Sequence, residues 1–176
     1  MLPETFYHIF NRGINKQIIY FTRDNYLFFL EKIRKHILDH LDLIAYCLMP
    51  NHFHLLVYSK PDIIPEKFSK DLRIMLSSYA HAINIQEKRT GSLFQQHSKI
   101  KRLENSHKII NSHVGNNLDE YAETCFYYIH QNPVKARLVQ KPEDWEMSSF
   151  REYVGLVKKI LCNKSLAYKL LNIPGS

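Results

Sequence analysis

A chain of 176 residues suits one domain of ordinary size. Its composition, 45% hydrophobic and 23% charged, excludes a wholly disordered chain, and its 5 glycines form no phosphate cradle of the Walker or dinucleotide kind. The net charge of +7, from 24 Lys and Arg against 17 Asp and Glu, favours a polyanionic partner without requiring one.

In chain order, Thr5 to Arg12 reads as a first strand, with Phe6, His8 and Phe10 alternating with Tyr7, Ile9 and Asn11. A polar turn follows in which Gly13 is available for a left-handed backbone, and then Gln17 to Phe21 reads as a continuation of the strand or a small extra one. Thr22 to Asn25 offers capping residues for a helix whose apolar positions are Tyr26, Phe29, Leu30, Ile33 and Ile37. Leu41 to Met49 and Phe53 to Ser59 form a hairpin through Pro50-Asn51. A long helix spans Phe68 to about Lys88, with Leu72, Met75, Leu76, Tyr79, Ala80 and Ile83 on one face, and Leu93 to Leu103 reads as a fourth strand. Glu104 to Asn117 reads as a loop with a helical turn around Ile109 and Ile110, and Leu118 to Asn132 as a helix stopped by Pro133. The tail holds Trp145 as a core anchor and short helices around Ser148 to Leu156 and Lys164 to Leu171.

Strand, helix, strand, strand, helix, strand is the order of an α+β, ferredoxin-like split βαβ sandwich: an antiparallel sheet with two helices on one face. The helix from Leu118 would then cover or border the other face. We expect a catalytic unit over residues 1–133 and a helical extension over 134–176, packed on the same domain.

Two stretches carry chemistry. In Pro50-Asn51-His52-Phe53-His54 the two histidines share a strand face, close enough to grip one metal ion. Two ordinary half-exposed strand histidines would show the same pattern. Tyr128 and Asn132 are four apart, hence on one helical face, where a nucleophile and a metal ligand would make a workable pair. A core tyrosine and a helix-terminal asparagine before Pro133 account for that spacing equally well.

The run Met49-Pro50-Asn51-His52-Phe53-His54-Leu55-Leu56-Val57, followed far downstream by Tyr128-Ile129-His130-Gln131-Asn132-Pro133-Val134-Lys135-Ala136, resembles the REP-associated tyrosine transposases. These belong to the single-tyrosine HUH transposases of small bacterial insertion sequences, the IS200-like group. Tyr7-His8-Ile9-Phe10-Asn11-Arg12-Gly13, Gly91-Ser92-Leu93-Phe94-Gln95, Asp144-Trp145 and Ser148-Ser149-Phe150 extend the resemblance, in the family's order, over roughly residues 6 to 155. It implies His52, His54 and Asn132 as ligands of Mg²⁺ or Mn²⁺ and Tyr128, rather than Tyr127, as nucleophile. The implied activity is nicking and rejoining of single-stranded, hairpin-containing DNA through a 5′-phosphotyrosine. Asn11, Arg12, Lys99, Lys101 and Arg102 are candidate DNA contacts, with a solvated charged face as the plainer account. The chain departs from the family at Gln96-His97-Ser98 and at Ala136-Arg137, positions that bear on DNA preference rather than on the metal or the nucleophile.

Two other readings fit the residues: a non-enzymatic single-stranded nucleic-acid binding module, and a metal phosphodiesterase that uses water. The transposase reading makes one geometric demand, that the imidazoles face the Tyr128 helix, away from the face with two packed helices. A monomer and a helix-swapped homodimer both satisfy it. Three scattered cysteines argue against a disulfide framework. With no signal-peptide pattern and no apolar run near the ~20 residues of a membrane span, we expect a cytoplasmic, nucleoid-associated protein.

Overall fold

The computed structural model describes residues 1–103 and 118–174; the loop expected over 104–117 lies outside them. Strands β1 (Phe6–Arg12), β2 (Leu41–Met49), β3 (His52–Ser59) and β4 (Lys99–Arg102) form one antiparallel sheet in the order β2-β3-β1-β4. Helices α1 (Arg23–His36) and α2 (Pro65–Gln86) are the crossovers, and α3 (Leu118–Lys135), α4 (Phe150–Tyr153) and α5 (Lys164–Leu170) follow. This is the α+β arrangement expected from the split βαβ order.

Local chemistry explains the two crossovers. At the start of α1 the Asn25 side-chain oxygen accepts from the backbone N–H groups of Thr22 (3.1 Å) and Phe21 (3.0 Å). Asp24 in its first turn and Arg34, Lys35 and His36 in its last complement the helix dipole. Helix α2 begins with Pro65, whose missing N–H costs nothing at a first helical position. Its buried residues Phe68, Leu72, Met75, Tyr79 and Ile83 recur at helical spacing. The two helices share one sheet face through Phe29, which packs on Phe53 at 5.1 Å and on Tyr79 at 5.0 Å. Each such fully buried ring stabilises the fold by roughly 1.5–3 kcal/mol. Helix α3 packs on the opposite face, against β2 and β3.

Four local expectations are corrected. Residues 17–21 form no strand; Ile19 instead bonds through its N–H to the Pro50 carbonyl (2.8 Å) and buries its side chain. Gly13 has φ −59°, and the left-handed residues of that turn are Asn15 and Lys16. A glycine is needed there for close approach, because a Cβ would lie 2.1 Å from the Gln17 carbonyl oxygen. The fourth strand is confined to Lys99–Arg102, since Leu93 and Phe94 turn into the core instead. Pro133 does not stop α3 but lies inside it. It forfeits one bond, to the Ile129 carbonyl, and the Ala136 N–H resumes the pattern on Asn132 (2.9 Å).

The segment after α3 lines the outer edge of β2. The Leu48 N–H donates to Met147 (2.9 Å), the Ser149 N–H to Tyr46 (3.0 Å), and the Trp145 indole N–H to Leu48 (3.1 Å). At an irregularity between Leu43 and Ala45 the Tyr153 hydroxyl donates to the Ile44 carbonyl (2.6 Å). These bonds satisfy an edge that would otherwise be open to another chain. Ser149 ties this segment to α3: its hydroxyl accepts from the Tyr46 N–H (2.8 Å) and lies 2.8 Å from His130 Nε2. Ser149→Ala is therefore expected to lower stability by about 1–3 kcal/mol, because both partners are buried. A urea midpoint indistinguishable from wild type would refute this.

Candidate active site

Strand alternation assembles the site. Residues paired across neighbouring strands share a face, and the register pairs Phe10 with His54, Arg12 with His52, Phe10 with Lys99, and His8 with Lys101. His8, Phe10, Arg12, His52, His54, Lys99 and Lys101 thus lie on one face, which is the face that α3 covers. The demand made of the imidazoles is met: they look toward α3, away from α1 and α2. The Tyr128 ring stands edge-on to His54 at 5.5 Å and to His8 at 6.3 Å. Its neighbour Tyr127 packs on Phe126 instead. Arg12, His52, His54, His97, Lys99 and Tyr128 are among the residues around a cavity of about 390 Å³. A larger cavity, about 600 Å³, lies between α2 and the 92–98 loop and contains neither the histidine pair nor Tyr128. The titratable groups converge on the smaller one.

The histidine rings are held by their Nδ1 atoms. His52 Nδ1 lies 2.6 Å from the Asn51 side-chain oxygen, and the Asn51 amide nitrogen donates to the Lys16 carbonyl (3.1 Å). With its oxygen so directed, Asn51 accepts, and His52 carries its proton on Nδ1. His54 Nδ1 lies 2.8 Å from His8 Nε2, and these two rings are stacked at 5.0 Å. The His52 and His54 rings are 5.0 Å apart and nearly perpendicular.

Burial keeps these rings uncharged, reinforced by a neighbouring cation at His8 and at His52. The pKa of His8 is lowered to about 4 by burial and Lys101, and that of His52 to about 4 by burial and Arg12. Burial, with His8 and His52 nearby, lowers His54 to about 3. His130, on the buried side of α3, is lowered to about 3 by burial alone. An unfolded chain protonates these groups below about pH 6.5, whereas the folded chain leaves them neutral down to about pH 4 or 3. Stability is complete above pH 6.5 and falls as pH falls toward 4 and 3. For His130 alone the slope reaches about 1.4 kcal/mol per pH unit. Urea midpoints should drop from pH 7 to pH 5; a flat or rising series would contradict this assignment.

A neutral imidazole that donates from Nδ1, as His52 does to Asn51, presents Nε2 as a lone pair, the form in which histidine ligates a metal. Two imidazoles, His52 and His54, are donors of the kind that could hold a divalent ion. Among the described residues no group of three or more His, Cys, Asp or Glu is placed to hold a metal ion. Asn132 has the right chemistry and lies one turn beyond Tyr128. Its side-chain amide donates to the Tyr128 carbonyl (3.1 Å), and it is not among the residues around the cavity.

The candidate DNA contacts divide. Lys99 and Lys101 stand over Phe10 at 5.9 and 5.7 Å, on the histidine face. Arg12 borders the cavity, and its Nε is buried without a hydrogen-bond partner. Arg102 pairs with Tyr7 and so lies on the opposite face. Asn11 is buried, and its amide nitrogen donates to the Gln95 carbonyl (3.2 Å) and the Ser98 hydroxyl (3.0 Å), which holds the loop entering β4. The sequence reading missed His8 and His97. Alternation within the first strand marks His8 as sharing a face with Phe10, but its position beside His54 depends on the register between β1 and β3. His97 is marked in the sequence only as part of the departure from the family at Gln96-His97-Ser98. Among the described residues all three cysteines are free and buried, and burial pushes the Cys125 thiol up to about 12, so none is poised as a nucleophile.

Comparison with known proteins bears on this site. The family model described as "Transposase IS200 like" matches residues 4–132. No curated protein matches the chain. Among solved structures, one described as a REP-associated tyrosine transposase bound to a REP hairpin is similar in fold, with a TM-score of 0.65 and 20% identity. The alignment covers 89% of this chain and 84% of that one. Among the described residues no helix is long and apolar enough to cross a membrane.

Proposed function

The chain belongs to the IS200-like transposase family, and from that premise we propose that it nicks and rejoins single-stranded, hairpin-containing DNA with Tyr128 as the nucleophile. The observation that carries this reading is the Tyr128 ring set 5.5 Å from His54, over a cavity that His52, Arg12 and Lys99 also border. The hairpin-bound protein of similar fold supports DNA of that form as the partner.

In the proposed reaction Tyr128 Oη forms a bond to phosphorus, and the bond from phosphorus to the 3′-oxygen breaks. The phenolic proton is lost, and the departing 3′-oxygen gains one as it becomes a free hydroxyl. The 5′-phosphate remains on the tyrosine. Attack by a 3′-hydroxyl of another strand reverses the step, so rejoining needs no nucleotide cofactor. A phenol with a reference pKa of about 10 is mostly protonated at neutral pH, so the phosphate must be made a better target. Mg²⁺ or Mn²⁺ held by His52, His54 and Asn132 would orient the scissile phosphate and offset its developing charge. Arg12, Lys99 and Lys101 supply fixed positive charge on the same face. Lys135, whose ammonium lies 5.4 Å from the centre of the Tyr128 ring, adds a cation beside the nucleophile.

The test is to incubate the protein with a single-stranded hairpin oligonucleotide and Mn²⁺ and resolve the products on a denaturing gel. A covalent protein–DNA adduct is expected. Cleavage without an adduct, surviving Tyr128→Phe, would favour a water-using phosphodiesterase. Binding without cleavage would favour a non-enzymatic module.

A further inference from the structure

We propose that His8 is a positioning residue for the metal site: it fixes His54 as the Nδ1–H tautomer by accepting that proton on its own Nε2. The inference rests on the reading of His54 as a metal ligand. The geometry is specific. In the sheet register His8 opposes Leu56 and His54 opposes Phe10, so the two histidines are diagonal neighbours on one face of the central strand pair. Diagonal side chains on paired strands meet only when both are long or aromatic. Here the rings stack at 5.0 Å and place His8 Nε2 2.8 Å from His54 Nδ1.

A bond between two neutral imidazoles admits two proton arrangements, and only one suits ligation. If His8 donated, His54 would carry its hydrogen on Nε2 and that atom would have no lone pair for a metal. If His54 donates, Nε2 is the free base, and His8 must hold its own hydrogen on Nδ1. His52 shows the same logic with a different acceptor, since the Asn51 carbonyl oxygen at 2.6 Å can only accept. Each ring of the pair therefore has its Nδ1 engaged from outside the site, one by an amide oxygen and one by a third imidazole. His8 is also edge-on to the Tyr128 ring at 6.3 Å, so it braces the surface against which the nucleophile packs.

The distinguishing substitutions are His8→Gln and His8→Phe. Gln places an amide group near the position of Nε2, and its oxygen can accept from His54. Phe fills similar space but cannot accept. Outer-shell partners of ligating histidines are typically worth 10–100-fold in metal affinity. Titrated with Mn²⁺ alone, without DNA, His8→Phe should bind about 10–100-fold more weakly than wild type, and His8→Gln should recover most of the loss. Nitrogen-15 NMR of the metal-free wild-type protein should show the His54 hydrogen on Nδ1, a readout independent of metal and of activity. His54 found as the Nε2–H tautomer would overturn the proposal, even if His8→Phe failed to fold. So would a folded His8→Phe that binds Mn²⁺ like wild type. A wild-type protein that binds no Mn²⁺ would instead overturn the metal-site reading on which the proposal rests.

Discussion

Replacing Tyr128 with phenylalanine is expected to abolish the covalent protein–DNA adduct and to lower strand cleavage by on the order of 10⁴-fold or more, the scale seen when a nucleophile is removed. The ring would remain against His54 and His8, since those are edge contacts of the aromatic face and not of the hydroxyl. Tyr128 is also 40% exposed, so loss of its oxygen leaves no buried group unpaired and the fold should be unaffected. The proposed hairpin binding, assigned to the basic residues of the face, should change little. Tyr127→Phe is the internal control. Tyr127 is comparably exposed at 46%, but it packs on Phe126, so its variant should retain wild-type cleavage. A denaturing gel run on both variants decides the matter. If Tyr127→Phe loses the adduct and Tyr128→Phe keeps it, the nucleophile has been misassigned.

Removing the histidine pair should have the second-largest effect. His52→Ala is the cleaner variant, because His52 is only half-buried and its outer partner, Asn51, stays bonded to Lys16. Its Mn²⁺ affinity should fall at least as far as loss of an outer-shell partner produces, about 100-fold. Cleavage should fall by on the order of 10³-fold, because the phosphate loses both orientation and charge compensation. His54→Ala should match these losses and also destabilise the protein. His54 is 6% exposed, and its removal strips the His8 ring of its partner within the sheet; leaving such a group unsatisfied costs about 1–3 kcal/mol. Chelating the divalent ion should reproduce the catalytic loss in the wild-type protein without the loss of stability. Calorimetric titration with Mn²⁺, run beside the cleavage assay, checks both claims. Cleavage that persists in His52→Ala and in chelator alike would remove the metal from the mechanism.

The sequence by itself determined a great deal here because its strongest signals are local. Alternation in Phe6 to Arg12 and helical spacing from Phe68 to Ile83 depend only on side-chain direction along one element. They suffice for the split βαβ order, and His52 and His54 share a face in any strand that contains them both. The sequence also identified Tyr128 and Asn132 as neighbours one helical turn apart. Where it erred, a tertiary contact outweighed a local preference: Leu93 and Phe94 left a strand-like run to fill the core, and Gly13 answered to a crowded carbonyl rather than to its own backbone freedom.

Only the tertiary structure decided which groups meet. His8 reaches His54 because β1 and β3 pair in one register, and a slip of one residue would turn every side chain of β1 to the other face. The same register separates Lys99 and Lys101, beside the histidines, from Arg102 on the opposite face. It is the packing of α3 on β2 and β3 that brings Tyr128 and not Tyr127 to the imidazoles. Residues 74 positions apart in the chain, such as His54 and Tyr128, carry no local trace of their proximity. A helix face and a strand face can each be read from their own periods, but the contact between them is set by the packing of the whole core.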